Sequence, residues 1–288
     1  MTHSRAELNE LLDVHDLRPS RALGQNFVAD ANTVRRIARL SGVGPFDQVV
    51  EIGAGLGSLT LALAETGARV TAVEVDRHVV PVLRGLVEPA GVRVVEADAL
   101  ALHWDELLGG AEGGRWSLVA NLPYNVAVPV VMTVLEQAPG VSSLLVMVQR
   151  EVGERLAAAP GDEAYGAVSV KVAYWATASL AGRVPASVFV PRPRVESVLV
   201  RLDRHPPPAG DAGTVAYDRL FRVVRAGFAH RRKMLRRSLD GVVDPEAFAA
   251  AGVAPTARAE ELDLAAWGRL AAWGQGGPDE GHRTEERR

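Results

Sequence analysis

The chain has 288 residues, 48% of them hydrophobic, with 32 Lys and Arg against 35 Asp and Glu. That length allows one large or two modest domains with an ample core, and no apolar run is long enough to span a bilayer. A net charge of -3 carries no global signature of nucleic-acid binding, and zero cysteines exclude disulfides and thiolate metal sites and suit a reducing cytoplasm.

Residues Met1 to Asp16 are polar and mixed in charge, unlike a secretory signal. They contain a predicted helix, Arg5–His15, with no evident purpose. In the stretch that follows, Gly24 breaks any helix and Asp30 can cap the next one, Ala31–Leu40. That helix carries Val34, Ile37 and Leu40 at helical spacing, with Arg35, Arg36 and Arg39 outward. A βαβ unit comes next: strand Gln48–Ile52, glycine-rich turn Gly53–Gly57, helix Ser58–Thr66 with Gly67 as its cap, and strand Arg69–Val75. Helix Arg77–Val87, strand Val92–Glu96 and an exit loop Asp98–Leu100 continue the alternation. Gly109–Arg115 is a surface loop. Leu118–Ala120 is a fourth strand and Val128–Gln137 a helix. Ser143–Gln149 is a fifth strand and Arg150–Ala158 a helix. Helix Ala167–Trp175 leads to strands near Ala178–Val184 and Val195–Leu202, whose short link makes them an antiparallel pair. Strands alternating with helices predict a parallel sheet covered on both faces.

His205-Pro-Pro-Pro208 is a stiff break and the expected domain boundary. Beyond it, Val215–Asp240 reads as one or two basic helices, and Pro245–Ala251 and Leu262–Trp273 as two more. Four segments are therefore expected: an arm, 1–30; an α/β domain, 31–204; a small all-helical domain, 205–273; and a disordered tail, 274–288. From Arg219 to Arg237 there are eight basic residues and no acidic one, namely Arg219, Arg222, Arg225, Arg231, Arg232, Lys233, Arg236 and Arg237. A charge run is usually a solvated face. Eight cations without a counter-charge make contact with RNA phosphates the better expectation, even on an acidic chain.

The strand–turn–helix unit is built for a ligand. Gly53, Gly55 and Gly57 permit positive φ and close approach to bare backbone. A nicotinamide fingerprint would have its third glycine at position 58, where this chain has Ser58, so the turn suits S-adenosylmethionine (SAM) better than a dinucleotide. Glu74, about 20 residues on, is placed to accept from both ribose hydroxyls. Asp98, after the third strand, is placed to accept from an adenine amino group. Either carboxylate alone could equally be a helix cap, whereas turn, Glu74 and Asp98 at three successive strand ends favour the cofactor. After the fourth strand comes Asn121-Leu-Pro-Tyr124. Pro123 fixes its own φ and pushes Leu122 out of the helical region, which sets the direction of the carbonyls. With the Asn121 amide and the Tyr124 ring, this turn can hold a flat, amino-bearing ring.

Six motifs in order carry a resemblance to a family: Leu23-Gly-Gln-Asn-Phe27, Val50-Glu-Ile-Gly-Ala-Gly-Leu-Gly57, Val73-Glu-Val-Asp76, Asp98-Ala-Leu100, Asn121-Leu-Pro-Tyr124 and Val188-Phe-Val-Pro-Arg-Pro-Arg-Val-Glu-Ser197. Over residues 18–270 the chain resembles the SAM-dependent rRNA adenine N6,N6-dimethyltransferases, nearest to the bacterial small-subunit (16S) members. The resemblance implies a Rossmann-like methyltransferase sheet with a small helical C-terminal domain, and Asn26 and Val28 as SAM contacts beside Gly53, Gly55, Glu74, Asp98 and Asn121. It departs at Val28, where Leu is common, at Asn125-Val-Ala127, where Asn-Ile-Ser is usual, and at Glu196, where Asp is usual.

On this reading Asn121 and Leu122 accept from the adenine amino group, Pro123 stiffens the turn, and Tyr124 stacks on the base. Phe189, read as an exposed ring, stacks on its other side. Arg192 and Arg194 on the same loop are placed to meet phosphates. The expected partner is rRNA within the small ribosomal subunit, met by a cytoplasmic monomer that needs no metal and no membrane. Three alternatives stay open: a large-subunit (23S) rRNA methylase conferring antibiotic resistance, a non-catalytic nucleic-acid-binding relative, and a nicotinamide oxidoreductase. Ser58 and the lack of an evident acid or base weigh against the last.

Overall fold

The computed structural model describes residues 2–20, 22–110, 114–206, 208, 211–230 and 233–273. Contacts divide the chain into two compact units, one of Met1–Ala158 with Lys171–Pro206, the other of Ala159–Val170 with the residues after Pro206.

The larger unit holds a seven-stranded sheet. Its parallel strands are β2 (Gln48–Ile52), β3 (Arg69–Glu74), β4 (Arg93–Glu96), β5 (Trp116–Asn121) and β6 (Val141–Gln149). Strands β7 (Ala176–Val184) and β9 (Ser197–Arg204) add an antiparallel edge, as their short link required, and the spatial order is β4-β3-β2-β5-β6-β9-β7. The central strands are apolar on both faces: Val49, Val50, Leu118, Val119 and Ala120 are all at most 1% exposed. That is the mark of a sheet covered on both sides.

Helix α1 (Arg5–Val14) begins on a Ser4–Glu7 capping box. Asp30 caps α2 (Ala31–Ser41), accepting the Thr33 N–H at 2.6 Å. The buried stripe of α2 is Val34, Ile37, Ala38 and Ser41, not Leu40, which is 36% exposed. Helix α3 (Ser58–Ala64) follows the glycine turn. Helix α4 (Val80–Val87) starts three residues later than expected. Asp76 first makes a turn, accepting from His78 and Val79, and Pro81 then sits in the first helical turn, where its missing N–H is harmless. A short helix α5 (Trp104–Leu108) has no counterpart in the sequence reading. Helices α6 (Ala127–Gln137) and α7 (Arg150–Ala157) cover the next crossovers. Equally unforeseen is a two-residue ladder, β1 (Phe27–Val28) against β8 (Phe189–Val190), which ties the N-terminal arm to the loop ahead of β9.

In the smaller unit, α8 (Tyr217–Ala229) buries Leu220, Phe221, Val223, Val224 and Gly227. Trp267, fully buried on α9 (Leu264–Ala272), packs its ring where a side chain on Gly227 would stand. The sequence suggested a single boundary near residue 205, but Ala159–Val170 also groups with these helices. The Tyr165 hydroxyl donates to the Leu262 carbonyl at 2.8 Å, and its ring meets Phe228 edge-on at 5.9 Å. Such long-range pairings leave no periodic trace in the sequence.

Candidate active site

Four strands end at one edge of the sheet, on Gly53 after β2, Glu74 on β3, Asp98 after β4 and Asn121 on β5. Strand β2 lies between β3 and β5, so the winding direction reverses beside it and a crevice opens at the carboxyl ends. The cavity there is lined by these four residues with Asn26, Val28, Gly55, Leu122, Pro123 and Tyr124.

Gly53, Gly55 and Gly57 have φ of 72°, 55° and 81°. At Gly55 a Cβ would also lie 2.8 Å from the Phe27 ring, so a side chain is refused by conformation and by space. The Glu74 carboxylate holds the turn. Its Oε2 accepts the Gly55 N–H at 2.8 Å, and Oε1 accepts those of Asp76 and Val75 at 2.9 and 3.0 Å. Three of its roughly four acceptor positions are thus engaged. The carboxylate expected to meet the ribose thus also holds the backbone of the turn. Burial pushes the Glu74 pKa up despite these three donors. Asp98 stands exposed at the rim; its Oδ1 accepts the Leu100 N–H at 2.9 Å and Oδ2 faces no donor among the described residues.

Sequence reasoning missed Glu51. It lies inside β2, is 1% exposed, lines the cavity, and its Oε2 has no hydrogen-bond partner among the described residues. Burial, with a further push from the Glu74 carboxylate, raises its pKa from 4.5 to about 8. A Glu within an otherwise apolar strand, just ahead of a glycine turn, was the available signal.

The Asn121 side chain is half-buried, and its Nδ2 donates to the Asn26 carbonyl at 2.9 Å. That contact turns Oδ1 the other way, and no described residue donates to it. Leu122 is anchored by its N–H to the Met147 carbonyl at 3.1 Å. The half-buried Tyr124 shares a hydrogen bond of 2.9 Å with the fully buried Ser197, and burial raises its pKa. Val28 is buried in β1 opposite Phe189.

Phe189 requires a correction. Its ring is 0% exposed and belongs to the core cluster around Val34, Ile37 and Leu199. The β1–β8 ladder explains this, since alternation along a strand turns Phe189 inward and leaves Val190 half-exposed. The ring is therefore unavailable for stacking in this structure. Arg192 and Arg194 are exposed. In the smaller unit Arg222, Arg225, Lys233, Arg236 and Arg237 are exposed, whereas Arg219 donates to the Ala271 and Trp273 carbonyls. Arg231 and Arg232 lie outside the described residues.

Helix α1 acquires a purpose. Its Leu8 is fully buried and lines the cavity, clustered with Phe27, Leu56 and Val79. Near its start, His3 bonds the Leu56 carbonyl at 2.9 Å, and Arg5 donates to the Ser187 and Phe189 carbonyls.

A parallel sheet with this glycine turn, two acidic strand ends and an Asn-Leu-Pro-Tyr turn at its switch point defines a Rossmann-like methyltransferase. The chain belongs to the ribosomal RNA adenine dimethylase family, which matches residues 17–275. It is 48% identical over 284 residues to the ribosomal RNA small subunit methyltransferase A of Kineococcus radiotolerans, covering 95% of this chain and 92% of that one. It is 49% identical over 278 residues to the protein of that name from Leifsonia xyli, covering 93% and 96%. In fold it matches the crystal structure of the 23S rRNA methyltransferase ErmE, with TM-score 0.65, 24% identity and coverage of 85% and 98%. A dimethyladenosine transferase from Plasmodium falciparum gives TM-score 0.67, 21% identity and coverage of 84% and 94%.

Proposed function

We propose that this chain dimethylates N6 of adjacent adenines in the 16S rRNA of the small ribosomal subunit, with SAM as donor, as a cytoplasmic monomer acting in ribosome biogenesis. Family membership and relatives of nearly half-identical sequence, all called small subunit methyltransferase A, support that substrate. The observation that carries the chemistry is the Asn121 amide, its Nδ2 tied to Asn26 and its Oδ1 left for a donor.

The site fits SAM. Gly53 and Gly55 offer bare backbone, Glu74 Oε2 a position for a ribose hydroxyl, and Asp98 Oδ2 an acceptor for an adenine amino group. The orphaned Glu51 oxygen suits the ammonium of the cofactor's amino-acid end. Asn26, Val28 and Asn121 complete the wall. Once bound, SAM supplies a methyl group on a sulfonium.

The residues of the chain do the rest. An adenine amino group is a poor nucleophile because its lone pair is delocalised into the ring. Asn121 Oδ1 and the Leu122 carbonyl accept its two N–H bonds, which favours a more tetrahedral nitrogen and aims the lone pair. Alignment and fixed dipoles of this kind contribute several kcal/mol. Pro123 keeps the turn stiff, and the Tyr124 ring, pinned by Ser197, presents a face for the base, which must leave its helix to arrive. No His, Lys or Cys lies in the turn, and none is needed, because the methylated ammonium is acidic enough to lose its proton to water. In the second round a single N–H remains, so one acceptor suffices. The exposure of Arg192, Arg194, Arg222, Arg225, Lys233 and Arg236 supports contacts of theirs with RNA phosphates, with Arg231 and Arg232 assigned from sequence alone.

The test is transfer of radiolabelled methyl to small subunits lacking the mark, with large-subunit RNA in parallel and the modified nucleotides mapped. Incorporation into large-subunit RNA alone would favour the resistance-methylase reading. No incorporation, with SAM bound, would favour the non-catalytic one.

A further inference from the structure

The catalytic amide is aimed by a segment far from it in sequence. An Asn side chain can present either its oxygen or its NH2 group to a ligand, and the two ends differ little in shape. Here the Asn26 carbonyl takes the Asn121 Nδ2 at 2.9 Å. A flipped amide would set its oxygen against that carbonyl oxygen, which is repulsive. The arm thus selects the acceptor end of Asn121.

The arm is in turn held at three points. Asn125, four residues beyond Asn121, donates from Nδ2 to the Ala22 carbonyl at 3.1 Å. Gln25 accepts the Ser20 N–H at 2.8 Å and donates to Asp76 Oδ2 at 2.9 Å. Gly24, with φ of 64°, lies so close to the turn that a Cβ would stand 2.7 Å from Asn125 Oδ1 and 3.2 Å from Pro123 Cβ. The Asn-Leu-Pro-Tyr-Asn turn therefore grips the arm with two amides, Asn121 and Asn125, and the arm sets the first.

We propose that Asn125 is a positioning residue: by fastening Ala22 it keeps the Asn26 carbonyl in place and Asn121 Oδ1 toward the substrate amine. The inference rests on the reading of Asn121 given above. Asn125 is exposed and is not part of the cavity wall, and its bond to Ala22 in the arm is the contact through which it reaches the site.

The test compares Asn125→Ala, Asn125→Asp and Asn125→Gln in single-turnover methyl transfer, with SAM affinity by calorimetry and the thermal midpoint. Asn125→Asp has the size of Asn but cannot donate. Loss of one hydrogen bond's worth of orientation predicts a rate lower by about tenfold for Asn125→Ala and Asn125→Asp. The rate should fall more than SAM affinity, which shares only the Asn26 side of the arm, the thermal midpoint should hold, and Asn125→Gln, which keeps a donor, should recover part of the rate. A purely structural role would lower the midpoint and follow side-chain size, which overturns the proposal. So does full activity in Asn125→Asp. Gly24→Ala, which wedges the same contact, should slow transfer too, and combining it with Asn125→Ala should add little; losses that multiply overturn the shared route. Asn121→Ala is run alongside. If it stays active, the reading of Asn121 itself fails; if it is dead while Asn125→Asp is fully active, only the positioning role fails.

Discussion

Replacing Glu51 by Gln should make the protein more stable at alkaline pH, because it removes a buried group that must otherwise ionise there. The Glu51 carboxyl is 1% exposed with one oxygen unpartnered, and its pKa rises from 4.5 to about 8. Between those values the folded chain holds a proton that the unfolded chain has released. Folding stability therefore falls as pH rises through that window, by about 1.4 kcal/mol per pH unit, and levels off above it. Across the whole window the loss is about 5 kcal/mol, a large share of a typical folding free energy of roughly 5–15 kcal/mol. Glu51→Gln keeps the shape and cannot ionise. Near pH 4.5 it should match the parent; by pH 8.5 it should exceed it by several kcal/mol on this scale. Urea unfolding of both proteins at intervals from pH 4.5 to 9 reads the difference directly, since every other titrating group is shared. Parallel stability curves would refute the argument, for they would mean that Glu51 is ionised at neutral pH with a partner that compensates it. The same substitution should weaken SAM binding, because a bound ammonium favours the ionised carboxylate at Glu51 and an amide cannot take that charge.

Asn121→Ala should lower the methyl-transfer rate by roughly 10²- to 10³-fold, the range seen for lost fixed dipoles at reacting centres, while the protein still folds; an unchanged rate would remove the core of the mechanism. Phe189→Ala should act on the core, costing about 3–5 kcal/mol in denaturant titration as buried aromatic truncations do. An intact stability with a collapsed rate would instead restore the ring to the substrate. Converting both Arg222 and Arg225 to Gln should weaken binding to small-subunit particles and shallow the dependence of log K on log salt by about two units. A slope that stays put would assign the exposed face of α8 to solvent.

The sequence alone determined most of the elements and their order along the chain. Strong period-two and helical patterns, glycine at the turn, proline after Asn121-Leu122 and acidic residues at strand ends are local, so the strand ends that carry Gly53, Glu74, Asp98 and Asn121 were legible before any fold was known. The run from Gln48 to Asn121 also implied that these positions share one sheet edge, because parallel strands place their carboxyl ends together. What only the tertiary structure decided depends on partners distant in the chain. Phe189 reads as an exposed ring beside prolines, yet pairing with Phe27–Val28 turns it into the core. Helix α1 reads as purposeless, yet Leu8 walls the cavity. Glu74 reads as a ligand alone, yet its carboxylate also holds the Gly55, Val75 and Asp76 amides. The acceptor end of Asn121 is chosen by a carbonyl delivered from position 26. Hydrogen-bond direction and burial are properties of the assembled neighbourhood, and no window of sequence around a residue contains them.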